Sequence, residues 1–311
     1  MDLGSLRIFY ATGIEGSVSK ASLKLNCVQS NVTTRIKQLE NELEVQLFYR
    51  KKRGMELTPS GKILMGYAEK ALVLFKEARL AVQETETPKG PLIIGSLEST
   101  AAARLPVILT RFHQEYPDVD LTIQTGTDTE LKNLITGYQL DAAFVEASAQ
   151  NTALDQTPVF NEELVVVTGK NADPPESMER PTLIVFPMGC TYRRILRDWF
   201  AQKGVHCFKI MEFGSHEGIL GCVSAGLGVT LFPVSLITQL NYNDRIRIYK
   251  LPKKIGNLSI DLIKRKDILT TRALTEFQRI VHDEAGKSAS AIVSLKNAGE
   301  PELPHLHRFG G

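Results

Sequence analysis

The sequence is poor in the features that mark most catalytic, secreted or membrane proteins. Its 311 residues include four cysteines, Cys27, Cys190, Cys207 and Cys222, none in a C-x-x-C pair. That pattern excludes the usual zinc spacing and the framework of a small disulfide-bonded domain. No run of about twenty apolar residues is present to cross a bilayer. The amino end has no basic segment leading into an apolar one, so a cytoplasmic protein with no membrane partner is expected. There is no Walker loop, nucleophile elbow or H-x-x-x-H pair. Ser96 or Ser99 could be drawn as a nucleophile with His113 or His216 as its base, but no motif supports the pairing. Neither enzyme activity nor a cofactor or metal is expected. One-sided charge is missing too, with 37 Lys or Arg against 35 Asp or Glu. The first sixty residues nevertheless hold nine Lys or Arg against six Asp or Glu, which turns that end toward nucleic acid. The hydrophobic fraction, 43 %, supplies cores for two or three domains at this length.

What is present is concentrated in VQSNVTTRIKQLE, residues 28–40. Val32, Ile36, Leu39 and Leu43 recur at helical spacing, while Gln29, Ser30, Thr33, Thr34, Arg35 and Lys37 fill the remaining faces. Those polar side chains have the donors and acceptors that read base edges or grip phosphates, and the first carboxylate is Glu40. Many surface helices are amphipathic, so the neighbouring segments decide between the two readings. Leu3, Leu6, Phe9 and Gly13 mark a helix upstream. Ser17 stands where an N-cap would start a second, packed through Val18, Ala21 and Leu25. Residues 17–25 and 28–41 then form the brace and reader of a helix-turn-helix. After it, LFYRKKRGMELT reads as a wing, with Leu47 and Phe48 buried, Gly54 turning, and Met55 to Thr58 returning as a strand. Arg50, Lys51, Lys52 and Arg53 at its tip are placed to lie along phosphates.

Thr58-Pro59 reads as an N-cap and first-turn proline, opening a helix to about Glu84. Ile63, Tyr67, Ala71, Leu74, Ala78 and Ala81 repeat along it as a coiled-coil stripe, which predicts pairing with a twin helix. A homodimer or homotetramer is expected, since paired readers match half-sites one helical turn apart. TETPKGP, residues 85–91, begins a new domain in which strands alternate with helices, the mark of an α/β sheet.

The order L-x-x-F, the turn Glu15 to Ser17, I-x-x-L-E at Ile36 to Glu40, L-E-V-Q-L-F at Leu43 to Phe48 and R-G-x-x-L-T-P-S-G at Arg53 to Gly61 resembles the LysR family of bacterial transcriptional regulators. The family usually has Ser where Val28 stands, and losing that cap costs a helix start about 1 kcal/mol. Ser30 or Asn31 is therefore expected to cap instead. The resemblance implies a DNA-binding regulator of promoters with four parts: a winged helix-turn-helix over 1–58, a linker and dimerisation helix with hinge over 59–90, an effector domain over 91–285, and a flexible tail over 286–311. RNA polymerase is a further implied partner. The implied effector domain is two-lobed and like periplasmic binding proteins, with lobe one 91–161 and 266–285 and lobe two 162–265.

In such a fold a small molecule lies beyond the carboxyl ends of the strands, where helix amino termini offer free N–H groups, a setting that suits anions. Ser99 and Thr100 after the first strand, Gly126 and Thr127 after the second, and Cys190, Thr191, Tyr192 and Arg193 in PMGCTYRR meet that description. The resemblance adds Ser215 and the turn around Gly228. An alternative is a thiol redox sensor, because Cys190 opens a helix, where a thiolate can be favoured, and the family's peroxide sensors carry a cysteine in a similar turn. At the spacing of their resolving cysteine this chain has Trp199, leaving Cys207 as the substitute.

Overall fold

A computed structural model describes residues 1–51, 54–82, 87–148, 151–242 and 244–297. Lys52 and Arg53 of the wing tip, residues 83–86 of the interdomain linker and residues 298–311 of the expected tail lie outside them. The chain divides into an amino-terminal compact unit through Thr85, which also takes in Ile268–Thr271, and a larger one formed by the other described residues from 87 onward.

In the first unit α1 (Leu3–Glu15) starts at Asp2, whose carboxylate accepts the Ser5 amide at 2.8 Å, and ends at the left-handed Gly16. Ser17 caps α2 (Val18–Lys24). The reader, α3 (Gln29–Leu43), begins directly after Val28, which supplies no side-chain cap, so the expected shift of the cap to Ser30 or Asn31 does not occur. Tertiary packing decides this: Val32, Ile36 and Leu39 are buried against Leu6, Phe9, Leu47 and Phe48, and that burial outweighs one missing cap. Glu40 then fastens the chain leaving α3. Its Oε1 accepts the amides of Leu47 at 2.8 Å and Phe48 at 3.2 Å. The wing is the hairpin β1 (Phe48–Lys51) and β2 (Gly54–Leu57), paired antiparallel. Gly54 is required by a neighbour as well as by a turn. A Cβ there would stand 2.5 Å from the Gly16 carbonyl oxygen, which accepts the Met55 amide, and its φ is +139°. Thr58 caps α4 (Pro59–Val82): its hydroxyl accepts the Gly61 amide at 3.0 Å and donates to Gln46 O at 2.7 Å.

The larger unit is built on strands in the order β4-β3-β5-β11-β6-β9-β7-β8, with β10 also along β6. Lobe one comprises β3 (Gly90–Ser96), α5 (Glu98–Ala103), α6 (Leu105–Glu115), β4 (Val119–Thr125), α7 (Asp128–Thr136) and β5 (Ala142–Glu146). The helical stretch after β3 is two helices, because the axis breaks at Arg104, just before Pro106, whose ring cannot continue the preceding turn. β6 (Leu154–Gly169) crosses between lobes, pairing with β11 in its first half and with β9 and β10 in its second. Lobe two continues with β7 (Thr182–Val185), α8 (Thr191–Gln202), β8 (Lys209–Glu212), α9 (His216–Ser224), β9 (Val229–Pro233), α10 (Val234–Leu240) and β10 (Ile246–Lys250). After the short α11 (Lys253–Gly256), β11 (Asn257–Arg265) inserts between β5 and β6, and α12 (Arg272–Asn297) closes lobe one.

Two sequence expectations are corrected by this topology. β11 belongs to lobe one's sheet, so the return crossing lies near 256 rather than after 265. Residues 286–297, expected as tail, continue α12. Each lobe has its own core. Leu92, Ile94, Phe112, Phe144 and Phe277 anchor the first, and Val165, Leu196, Phe200, Leu220 and Phe232 the second.

Candidate DNA-binding face and effector cleft

On α3 the apolar stripe faces the core, and Gln29, Ser30, Thr34, Arg35 and Lys37 are exposed, with Thr33 half-buried. Thr33 donates to the Gln29 carbonyl at 3.0 Å and lines a small pocket with Val18, Ile36, Arg50 and Met55. Arg35 reaches Asp2 at 3.4 Å; both side chains are largely exposed, so the pair is weak and exchangeable. Arg50 and Lys51 lie exposed on β1, and Lys51 pairs with Glu56 across the hairpin. Along α4, Ile63, Tyr67 and Leu74 of the expected stripe are about two-thirds exposed, and Phe75 beside them is 57 % exposed. Ala71 instead packs on the unit's own core beside the fully buried Ala68. Sequence periodicity could not separate these two sides, because both recur at helical spacing.

In lobe one β4, β3 and β5 are parallel, so their carboxyl ends form one crest. The amide of Gly126, after β4, donates to Ser96 O at the end of β3, and Leu97 N, after β3, donates to Phe144 O of β5. This brings Ser99 and Thr100 on α5, Gly126 and Thr127 before α7, and Glu146 onto that crest. Thr127 is a full capping box: Glu130 receives its amide at 2.9 Å while its hydroxyl accepts the Glu130 amide. In lobe two the carboxyl end of β7 leads through Gly189 into α8.

The lobes meet through their own side chains. The Ser99 and Tyr192 hydroxyls lie 2.8 Å apart, both buried, and Thr191 Oγ1 donates to Glu146 Oε2 at 2.8 Å. Gly189, at φ +99°, sits where an added Cβ would touch the Thr127 methyl at 3.6 Å. At the crossing of β6, the buried Glu162 accepts Arg104 Nε–H of lobe one at 2.8 Å and the Ser235 hydroxyl of lobe two. Sequence reasoning missed Glu146 and Glu162. A carboxylate ending the wholly apolar run Ala142 to Val145 was the available signal for Glu146; nothing local marked Glu162, whose meaning comes only from the crossing.

One expected residue is placed differently. Gly228 lies at the wrong end of the sheet. It precedes β9 beside Thr182, the first residue of β7, where a Cβ would come 2.2 Å from the Thr182 carbonyl oxygen. Its glycine is a packing requirement, remote from the crest where β7 ends. Ser215 follows the carboxyl end of β8, which runs parallel to β7, and is the exposed N-cap of α9, accepting the Gly218 amide at 3.1 Å. Arg193 is buried and pairs with Glu212. Ser99 and His216 do not form a nucleophile and base, because Ser99 is engaged by Tyr192 while His216 packs edge-on against Phe186. Burial also holds the His216 pKa below its usual value.

Charge in the cleft is unevenly distributed. Burial pushes the Glu146 carboxyl above its ordinary range, and Asp128 adds to the shift against the pull of Thr191 and of Arg194 and Lys132. Burial likewise raises Glu98, assisted by Glu217 from the opposite lobe. Cys190 departs from expectation. The amides of Tyr192 and Arg193 point at its sulfur without closing a capping bond, yet burial dominates and pushes the thiol up, away from the thiolate that a redox sensor needs.

Comparisons with known proteins agree in both halves. The profile described as "Bacterial regulatory helix-turn-helix protein, lysR family" matches residues 3–62, and that described as "LysR substrate binding domain" matches 85–286. The HTH-type transcriptional regulator GltR of Bacillus subtilis is 43 % identical over 288 residues, 91 % of this chain and 97 % of its own. The HTH-type transcriptional regulator YofA of Bacillus velezensis is 40 % identical over 276 residues, 89 % and 96 % of the two chains. Among solved structures, a full-length OxyR of Pseudomonas aeruginosa with a cysteine-to-aspartate substitution superposes with a TM-score of 0.67 at 21 % identity, covering 92 % of this chain and 94 % of its own. Full-length CbnR complexed with its target DNA gives 0.61 at 19 %, covering 91 % and 100 %. At such identities these likenesses establish the fold alone.

Proposed function

The chain belongs to the LysR family of bacterial transcriptional regulators, and from that premise we propose that α3 enters the major groove of promoter DNA while the wing lies along the backbone. The protein is a DNA-binding regulator with an effector-binding domain. In our reading Gln29, Ser30, Thr33, Thr34, Arg35 and Lys37 meet base edges and nearby phosphates, and Arg50 and Lys51, with Lys52 and Arg53 beyond the described residues, neutralise the flanking strand. The observation that carries this is the solvent-facing polar side of α3, free of carboxylate until Glu40. The apolar side of α4 left open at Ile63, Tyr67, Leu74 and Phe75 supports pairing of two chains, with a dimer of dimers as the larger assembly. The protein works in the cytoplasm, where it meets its DNA and RNA polymerase. No described helix is long and apolar enough to cross a membrane.

The effector is a small polar molecule held in the interlobe cleft by Ser99, Thr100, Gly126, Thr127, Cys190, Thr191, Tyr192 and Arg193. The amino terminus of α8 suits an anionic group there. An effector that replaces the Ser99–Tyr192 and Thr191–Glu146 contacts with its own favours one lobe arrangement, and this difference in affinity is what shifts the regulator between states. The test is a gel-shift or anisotropy titration of the full chain on the intergenic duplex beside its own gene against a scrambled duplex of equal length. Specific binding lost in Arg35→Ala supports the reading; equal affinity for both duplexes in the wild type overturns it.

A further inference from the structure

The entry to α3 carries an exposed apolar side chain. Val28, Val32 and Ile36 recur every four residues, so helix continued backward through Val28 would carry it into the stripe whose Val32 and Ile36 are buried. Its backbone prevents that. Val28 is extended, at φ −77° and ψ 147°, and its carbonyl accepts the Asn31 amide at 3.0 Å to start the helix. The side chain leaves the stripe and stands 68 % exposed, next to the exposed Gln29, Ser30 and Asn31. It neither packs in the core nor caps the helix. A lone exposed apolar group is ordinary on a protein surface, but this one opens the segment whose polar neighbours face solvent or DNA. In a helix-turn-helix the amino-terminal residues of the reader are those that reach base edges. The other large apolar side chain near this turn, Leu23 at 81 % exposure, lies on α2, the brace, which crosses the backbone instead of entering the groove.

We propose, resting on the reading of α3 as the groove helix, that Val28 is a specificity residue that reads one thymine in each half-site, its γ-methyls packing on the C5 methyl of that base. The major groove offers hydrogen-bonding groups at every base pair, and its hydrocarbon group is the thymine methyl. The contact adds no hydrogen bond; it takes hydrocarbon out of water on both partners. Cytosine at the same place has no methyl and presents an amino donor, which valine cannot satisfy. Val28 therefore selects thymine by shape and hydration, beside neighbours that read by hydrogen bonding.

The experiment starts from duplexes that the full chain itself selects from a random-sequence library. The enriched duplex is remade with each thymine in turn replaced by deoxyuridine, which lacks the C5 methyl and keeps every hydrogen-bonding group. Each duplex is titrated by anisotropy with the full-length wild type, Val28→Ala, Val28→Ser and Leu23→Ala. The expected result for the wild type and for Leu23→Ala is a loss of about fourfold at one thymine of each half-site, the worth of one buried methyl. Val28→Ala and Val28→Ser should bind the thymine and deoxyuridine duplexes equally. The serine variant separates reading from helix initiation, because a serine there can cap α3. A merely structural role for position 28 would let Val28→Ser bind every duplex at least as well as the wild type and keep its thymine preference. That outcome overturns the proposal, as does a deoxyuridine response that Val28→Ala shares with the wild type, one lost in Leu23→Ala instead, or none at any thymine. In each of these cases α3 stands as the reader if Arg35→Ala still abolishes discrimination between the selected duplex and a scrambled one. Equal wild-type affinity for those two duplexes brings down the groove reading itself.

Discussion

The Ser99 hydroxyl of lobe one and the Tyr192 hydroxyl of lobe two form a buried hydrogen bond of 2.8 Å, closing the cleft with the protein's own groups. Burial, moderated by Ser99, keeps the phenol protonated at any physiological pH. Tyr192→Phe keeps the ring and strands the Ser99 hydroxyl. The expected loss is about 1 kcal/mol, or roughly 2–4 °C in the melting temperature by calorimetry. An unchanged melting temperature would mean that the bond adds nothing to the resting arrangement.

Glu40 holds the start of the wing by two backbone amides. Glu40→Ala leaves those amides without their carboxylate and should lower stability by about 2 kcal/mol. Denaturant unfolding monitored at the amino-terminal unit measures this. Glu40→Gln, which still accepts, should recover about half.

Gly54→Ala forces a Cβ against the Gly16 carbonyl at a positive φ, so the wing must move away from the α1–α2 turn. A destabilisation above about 1 kcal/mol is expected, with weaker affinity for every DNA sequence alike. Wild-type affinity in an anisotropy titration on random duplex would show that the wing does not depend on this close approach.

Thr33→Ala should relax base preference with folding intact. Lys51→Ala should weaken binding to all duplexes and flatten the salt slope by about one unit. Titrations of both variants across a salt series, on an operator and on a scrambled duplex, separate the roles. Identical shifts on the two duplexes for both variants would refute the division between base reading and phosphate contact.

Glu98 and Glu217 bring like charges from opposing lobes, and burial, then Glu217, raises the Glu98 pKa. The native state therefore holds its proton to higher pH than the unfolded chain, and stability from this group falls as pH rises from about 4.5 through the folded value. Glu98→Gln should remove that segment of the pH profile and raise the neutral-pH melting temperature by roughly 1 °C, a small effect because both groups are partly solvated. Parallel wild-type and variant profiles would contradict it.

The local sequence determined the helices, the wing and most of the strands, because helix stripes, caps and strand alternation are written within a few residues of one another. The polar side of α3 was legible for that reason: a face that must meet solvent or DNA leaves its pattern at helical spacing. Val28 shows the limit of local rules, since a missing cap predicted a shifted helix start and the burial of Val32, Ile36 and Leu39 overrode it. The placement of β11 in lobe one, the pairing of Glu162 with Arg104 and Ser235, the bond between Thr191 and Glu146 and the remoteness of Gly228 from the crest were settled only by the tertiary structure. Each depends on residues tens of positions apart being brought together by two crossings between lobes, and burial, which pushes the Glu146 and Cys190 pKa values up, exists only after the chain has packed.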